Sequence, residues 1–149
     1  MANEIFDESH YSEFEYKVVE KQYGSKTVAS DSIKTISGWK YIPEGYTKTS
    51  PEVVNKYSAS INHTPKAAGG ADQIKNGGFK GKYNSSHAEK QLLTAKPNEP
   101  IGVSRNMCSD CKAFAQKQAN ATGQNVVVSD PQGTYVFKPN RQNPVFYER

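Results

Sequence analysis

Only two cysteines, Cys108 and Cys111, occur among the 149 residues. That excludes the several cross-links by which small secreted domains compensate for a thin core. No apolar run approaches the roughly 20 residues needed to cross a bilayer, and no basic segment followed by an apolar one opens the chain as a secretion signal would. The glycine-rich stretch at 66–82 lacks the Gly-Lys-Ser/Thr ending of a phosphate-cradling loop, which removes that nucleotide-binding class. Hydrophobic residues make up 35% of the sequence and tryptophan occurs once, yet aromatics reach 11%. A mean hydropathy of −0.80 then implies a polar surface and sizeable loops around one globular core. The length fits a single domain, taken as 1–149, large enough to bury that core without staples.

Charge is unevenly spread. Residues 1–20 hold six acids against one base, a net −5, so a total of +4 leaves +9 for the remainder. A basic body suits an anionic substrate such as nucleic acid or nucleotide. For any single lysine, a solvated surface is an equally good account.

The densest chemistry lies between Ser86 and Cys111, SHAEKQLLTAKPNEPIGVSRNMCSDC. His87 and Glu89 stand two apart at the expected first turn of one helix, and Cys108 and Cys111 open another. A hydrolytic zinc site uses three protein ligands and one open position, a set that one imidazole and two thiolates supply. With both cysteines given to a metal, a reducing compartment is the expected setting. Each residue also has a plainer reading. Ser86 with Glu89 fits a capping box that only ties down the helix N-terminus. The Cys-x-x-C alone fits a thioredoxin-type redox pair, which would not require His87. His10 and His63 have no such neighbours and read as ordinary side chains.

Along the rest of the chain, Phe14, Tyr16 and Val18 alternate with Glu15, Lys17 and Val19 as a half-buried strand would. A turn at Tyr23–Lys26 then lets the β-branched stretch Thr27–Ser37 pair back. Trp39, Tyr41, Ile42 and Tyr46 form an aromatic packing cluster. Ser50 as N-cap and Pro51 at the first position start a helix that buries Val53, Val54, Tyr57 and Ile61 and ends before Pro65. Residues 66–82, with five glycines, four lysines and one aspartate, read either as a mobile basic loop at the mouth of the site or as a linker. Pro100–Ser104 reads as a buried strand. Asp110 opens a helix with Cys111, Phe114, Ala115, Gln118 and Ala119 inward and Gly123 as its stop. Val126–Val128, the turn Asp130–Gly133 and Thr134–Lys138 complete the chain as an antiparallel pair, since four residues cannot hold a parallel crossover.

His-Ala-Glu followed by Cys-x-x-C resembles the cytidine deaminase superfamily, whose signature is H-x-E then P-C-x-x-C. The antiparallel end and the C-S-D-C-K phrasing are more similar to deaminase toxin domains of bacterial polymorphic toxin systems and to the plant editing domains that read H-S-E-K then C-x-D-C-H. The resemblance covers about residues 78–139. It implies an α/β, three-layer fold with a mixed sheet of about five strands, the last two antiparallel, flanked by helices. It also implies Zn2+ held by His87, Cys108 and Cys111, with Glu89 as proton carrier for hydrolytic deamination of cytosine. The Ala88 N–H would meet the cytosine carbonyl, and the Ser104 region the exocyclic amine. Tyr83, Asn84 and Arg105 are candidates for stacking and for sugar or phosphate contact; Phe79, Lys80 and Lys82 are candidates in the basic loop for a single-stranded nucleic acid, DNA favoured over RNA. A toxin setting implies a secreted effector delivered into the target-cell cytoplasm and an acidic immunity protein in the producer. A free nucleotide or RNA deaminase and a non-enzymatic zinc-stabilised binding domain are the alternatives. Met107 departs from the pattern, standing where many relatives have proline.

Overall fold

The computed structural model describes residues 12–21, 26–38, 42–64, 87–97 and 99–149. Six strands form one mixed sheet in the order β2-β1-β3-β4-β5-β6. These are β1 (Val28–Ser30), β2 (Lys34–Ile36), β3 (Ile101–Val103), β4 (Val126–Asp130), β5 (Gly133–Phe137) and β6 (Val145–Glu148). Only β3 and β4 run parallel, joined by a helical crossover, and every other neighbouring pair is antiparallel. The α/β class and the antiparallel β4–β5 pair are as the sequence implied. One strand more follows, because residues after Lys138 return along the free edge of β5.

The N-terminal strand expected around Phe14–Val19 is instead a helix, α1, over residues 12–21. Alternation fails as the explanation of burial: Phe14 is 65% and Val18 52% exposed, whereas Val19 is buried. The inward positions are Ser12, Tyr16 and Val19, the spacing of a helical face. The glutamates and lysines between them favour helix over strand. Without a strand there to pair with, Thr27–Ser37 folds on itself as the β1–β2 hairpin.

Strand alternation sends β1 side chains to both faces. Val28 and Ile36 join Val19 and Tyr16 of α1 in a small cluster. Ala29 faces the main core, with Ile101, Val103, Val126, Val128 and Phe137 from the sheet and Leu92, Leu93, Phe114 and Ala115 from helices α3 (Ala88–Ala95) and α4 (Ser109–Thr122). Helix α2 (Pro51–Ser60) starts as expected, with Ser50 Oγ accepting from the Val53 N–H at 3.3 Å. Its inward face is Val54, Tyr57, Ser58 and Ile61; Val53, expected inside, is exposed because it falls a turn's fraction off that stripe.

Gly133 is fixed by β6. A Cβ there would sit 2.2 Å from the Tyr147 carbonyl oxygen, and its φ of +157° is one that other residues rarely adopt. Among the described residues no helix is long and apolar enough to cross a membrane.

Candidate metal centre and active site

Two helix N-termini converge where the parallel strands β3 and β4 end, the usual crevice of open α/β sheets. His87 is the N-cap residue of α3, and Cys108 is the N-cap of α4, its sulfur accepting from the Cys111 N–H at 3.3 Å. One turn on, Cys111 points into the same space and is buried. The positive ends of both helices favour thiolates there.

His87 Nδ1 lies 3.3 Å from Cys111 Sγ and 3.7 Å from Cys108 Sγ. All three donor atoms fall within 4.8 Å of one another. Tetrahedral zinc, with bonds of about 2.0 Å to nitrogen and 2.3 Å to sulfur, spaces such donors roughly 3.5 Å apart. The donor set and its spacing fit that ion. Hydrogen bonding from the Cys111 side chain, helped by His87, holds the Cys108 thiol down to about 4 against the burial that would raise it. Burial, then its bond to Cys108, pushes Cys111 well above the ordinary thiol value. A cation that takes both sulfurs as thiolates displaces their protons as it binds. Burial opposes charge on His87, yet the Cys108 contact and nearby Glu89 leave its pKa raised.

Glu89 is 3% exposed, and its Oε1 has no hydrogen-bond partner among the described residues. Burial raises its carboxyl pKa, more than the nearby His87 charge lowers it. A capping box is not formed. The N-cap is His87 rather than Ser86, so Glu89 stands at the second helical position and not the third. Ser86 itself lies outside the described residues.

Sequence reasoning missed the ionic cluster behind this site. Lys90, wholly buried, pairs with Asp110 Oδ2 and lies 5.8 Å from the Phe114 ring centre. His63 Nε2 sits 3.4 Å from Asp110 Oδ1, a close polar contact outside good hydrogen-bond alignment. Asp110, expected to open α4, is therefore an interior anion. Burial would raise its carboxyl, but His63 and Lys90 hold it down to about 2. The cluster ties α3 to α4 directly behind their ligands and draws in the chain just after α2. A signal was present, since the lysine follows the glutamate and the aspartate lies between the cysteines. Breaking a buried pair strands a charge, so Lys90→Met is expected to cost about 3–5 kcal/mol in denaturant unfolding. Lys90→Met combined with Asp110→Leu should regain much of that loss, and additive losses in the double variant would contradict the pairing.

The remaining candidates separate. Ser104 is committed to β1: its Oγ accepts from the Val28 N–H at 2.9 Å and its N–H donates to the Val28 carbonyl at 2.9 Å. Neither of these bonds uses its carbonyl, which could face a substrate amine. Ala88 is buried at the first position of α3, and its carbonyl accepts from Thr35 Oγ1 at 2.8 Å. Arg105, half-exposed, lies over the Tyr16 ring, bonds its hydroxyl and reaches Glu20 at 3.9 Å. Phe79, Lys80, Lys82, Tyr83 and Asn84, with the whole 66–82 loop, lie outside the described residues, as do Trp39 and Tyr41.

An open mixed sheet flanked by four helices, with a His/Cys/Cys cluster at the mouths of two of them, fits the deaminase-like class of α/β domains. Residues 34–93 match a family model, that of the C-terminal domain of single-strand DNA deaminase toxin A. That span runs from β2 to α3, takes in His87 and Glu89 and stops short of both cysteines. It supports a bacterial toxin deaminase domain of the cytidine deaminase superfamily, and it carries the resemblance into residues 34–77, upstream of the motif core. No curated protein matches the chain.

Proposed function

We propose that the chain is a zinc-dependent deaminase converting cytosine to uracil in single-stranded DNA, acting as one catalytic domain over 1–149. The observation that carries this reading is a buried Glu89 carboxylate, its Oε1 without a hydrogen-bond partner among the described residues, beside a His/Cys/Cys donor set of zinc dimensions. A free acid held out of water without a partner costs stability, and such groups collect where chemistry needs them. The name of the matched family supports the toxin setting and single-stranded DNA as the substrate.

His87, Cys108 and Cys111 would hold the zinc, which supplies the Lewis acidity that makes water a nucleophile near neutral pH. Glu89 takes a proton from the attacking water and delivers it to the ring nitrogen. It then takes the second proton from the hydroxyl of the resulting adduct and passes it to the exocyclic amine, which leaves as ammonia while the C4 carbonyl forms. The Ala88 N–H, a helix-terminal donor with no intrahelical partner, orients the base through its carbonyl. The Ser104 carbonyl faces the exocyclic amine. Strand contacts fall to Arg105 and to the basic stretch with Phe79, Lys80, Lys82, Tyr83 and Asn84, where rings can stack on bases and lysines track phosphates. Delivery into a target-cell cytoplasm, and an acidic immunity protein covering this basic mouth in the producer, complete the proposal.

An unpaired base is the cheaper target, since extrusion from a duplex costs a few kcal/mol. Turnover of a cytosine-bearing oligonucleotide should therefore far exceed that of free cytidine. Binding should weaken steeply with added salt, with a slope reduced by replacing Lys75, Lys80 and Lys82 with alanine. Comparable rates on both substrates, without salt dependence, would instead favour a free-nucleotide enzyme.

A further inference from the structure

Asp130 ends β4 wholly buried, and its carboxylate joins two segments that are far apart in sequence. Oδ1 accepts from the N–H groups of Gln132 at 2.8 Å and Gly133 at 3.2 Å, closing the tight turn into β5. Oδ2 accepts from the Met107 N–H at 2.9 Å. Met107 immediately precedes Cys108, and its side chain is buried in the main core. The Asp130 carbonyl in turn accepts from Arg149 Nε at 3.2 Å, while the Arg149 N–H donates to the Gln132 carbonyl at 3.1 Å. One buried carboxylate therefore fixes the loop that delivers the first cysteine, the β4–β5 turn and, through its backbone, the end of the chain.

We infer that Asp130 is a positioning residue of the metal centre, holding Cys108 in place through the Met107 N–H. The departure at position 107 acquires a physical role: proline has no N–H, so a chain with proline there could not make this bond, and this chain uses the donor that methionine retains. Two features follow from the same atom pair. The loop before Cys108 is fastened to the sheet rather than shaped by a rigid ring. The short antiparallel turn is also coupled to the ligand set, since its closing acid is the loop's anchor. A carboxylate offers enough lone pairs for all three bonds, whereas an amide of the same shape has one accepting oxygen and must abandon either turn or loop.

The inference rests on the metal-site reading, and zinc affinity separates the two. Affinity for the metal alone, measured on the full chain by competition with a chelator, is the readout, alongside the visible absorption of the cobalt-substituted protein, which reports ligand geometry. Asp130→Asn is expected to weaken zinc binding by about 10–100-fold, as loss of a residue supporting a ligand does, and to alter the cobalt bands. Met107→Pro removes the one donor, leaves Asp130 on its turn, and should weaken binding over the same range. Thr134→Ala, which breaks the buried Ser129–Thr134 hydroxyl bond elsewhere on that hairpin, should lower the melting temperature without changing affinity or spectrum. Wild-type affinity and unchanged cobalt bands in both Asp130→Asn and Met107→Pro would overturn the positioning role while leaving the metal centre intact. Loss of affinity in Thr134→Ala equal to that in Asp130→Asn would reduce Asp130 to general stability and overturn it too. A wild-type chain that takes up no zinc would remove the metal centre itself, and this role with it.

Discussion

Glu89→Gln is expected to lower kcat by about 10²–10⁴-fold, the usual worth of a positioned proton carrier, with zinc content unchanged. The substitution keeps shape and removes only the ability to take and return a proton. Glu89 is buried, and Oε1 has no hydrogen-bond partner among the described residues, so the native acid is held at a cost. The variant should therefore be no less stable than the wild type, and a modest rise in melting temperature is expected. A residue that merely capped α3 would behave the other way, keeping its rate and its stability as glutamine, which caps as glutamate does, and losing about 1 kcal/mol with its rate intact as alanine. Steady-state kinetics and a thermal melt on the same preparation decide between these outcomes.

Cys108 has two duties, and two substitutions divide them. Its sulfur is both a ligand candidate and the N-cap acceptor of α4. Cys108→Ser retains a capping oxygen but no soft thiolate, whereas Cys108→Ala loses both. Structural zinc sites bind with about 10–16 kcal/mol shared among their ligands, so either change should weaken zinc by more than about 10²-fold and lower the melting temperature sharply. Alanine should cost about 1 kcal/mol beyond serine for the lost cap. Chelation of the wild-type protein should reproduce the serine variant. Full zinc stoichiometry in Cys108→Ala would discard the ligand assignment.

Chemistry was more legible in the sequence than architecture. Donor types and spacing are local properties, and the resemblance that they carry placed His87, Glu89, Cys108 and Cys111 before any fold was known; the structure brings the three ligand candidates together. The same holds for α4, whose inward face and Gly123 terminus, at φ 71°, emerged as expected. Residues 12–21 were misjudged because Phe14 and Val18 suggest a buried stripe in either period, and only the partner face formed by Val28 and Ile36 decides which side chains go in. β6 was invisible for a related reason. Val145, Phe146 and Tyr147 are strand formers, but they do not alternate with polar residues and end up largely exposed, so the sequence shows no buried face, and the strand forms because β5 leaves an edge to pair with. The places of Lys90 and Asp110 beside the motif residues hinted at a role, but neither they nor Asp130 could be read as interior charges, since burial of a charge depends on a partner from elsewhere in the chain. For Lys90 and Asp110 that partner is 20 residues away, and for Asp130 and Met107 it is 23.

Sequencing DNA and RNA from cells that express the domain tests the central claim most directly. Cytosine deamination in single-stranded DNA predicts C-to-T changes in the genome, concentrated where strands are transiently open, and their disappearance in cells expressing Glu89→Gln at the same level. A-to-G changes, changes confined to RNA, or no change in either nucleic acid from a zinc-loaded, folded domain would contradict it.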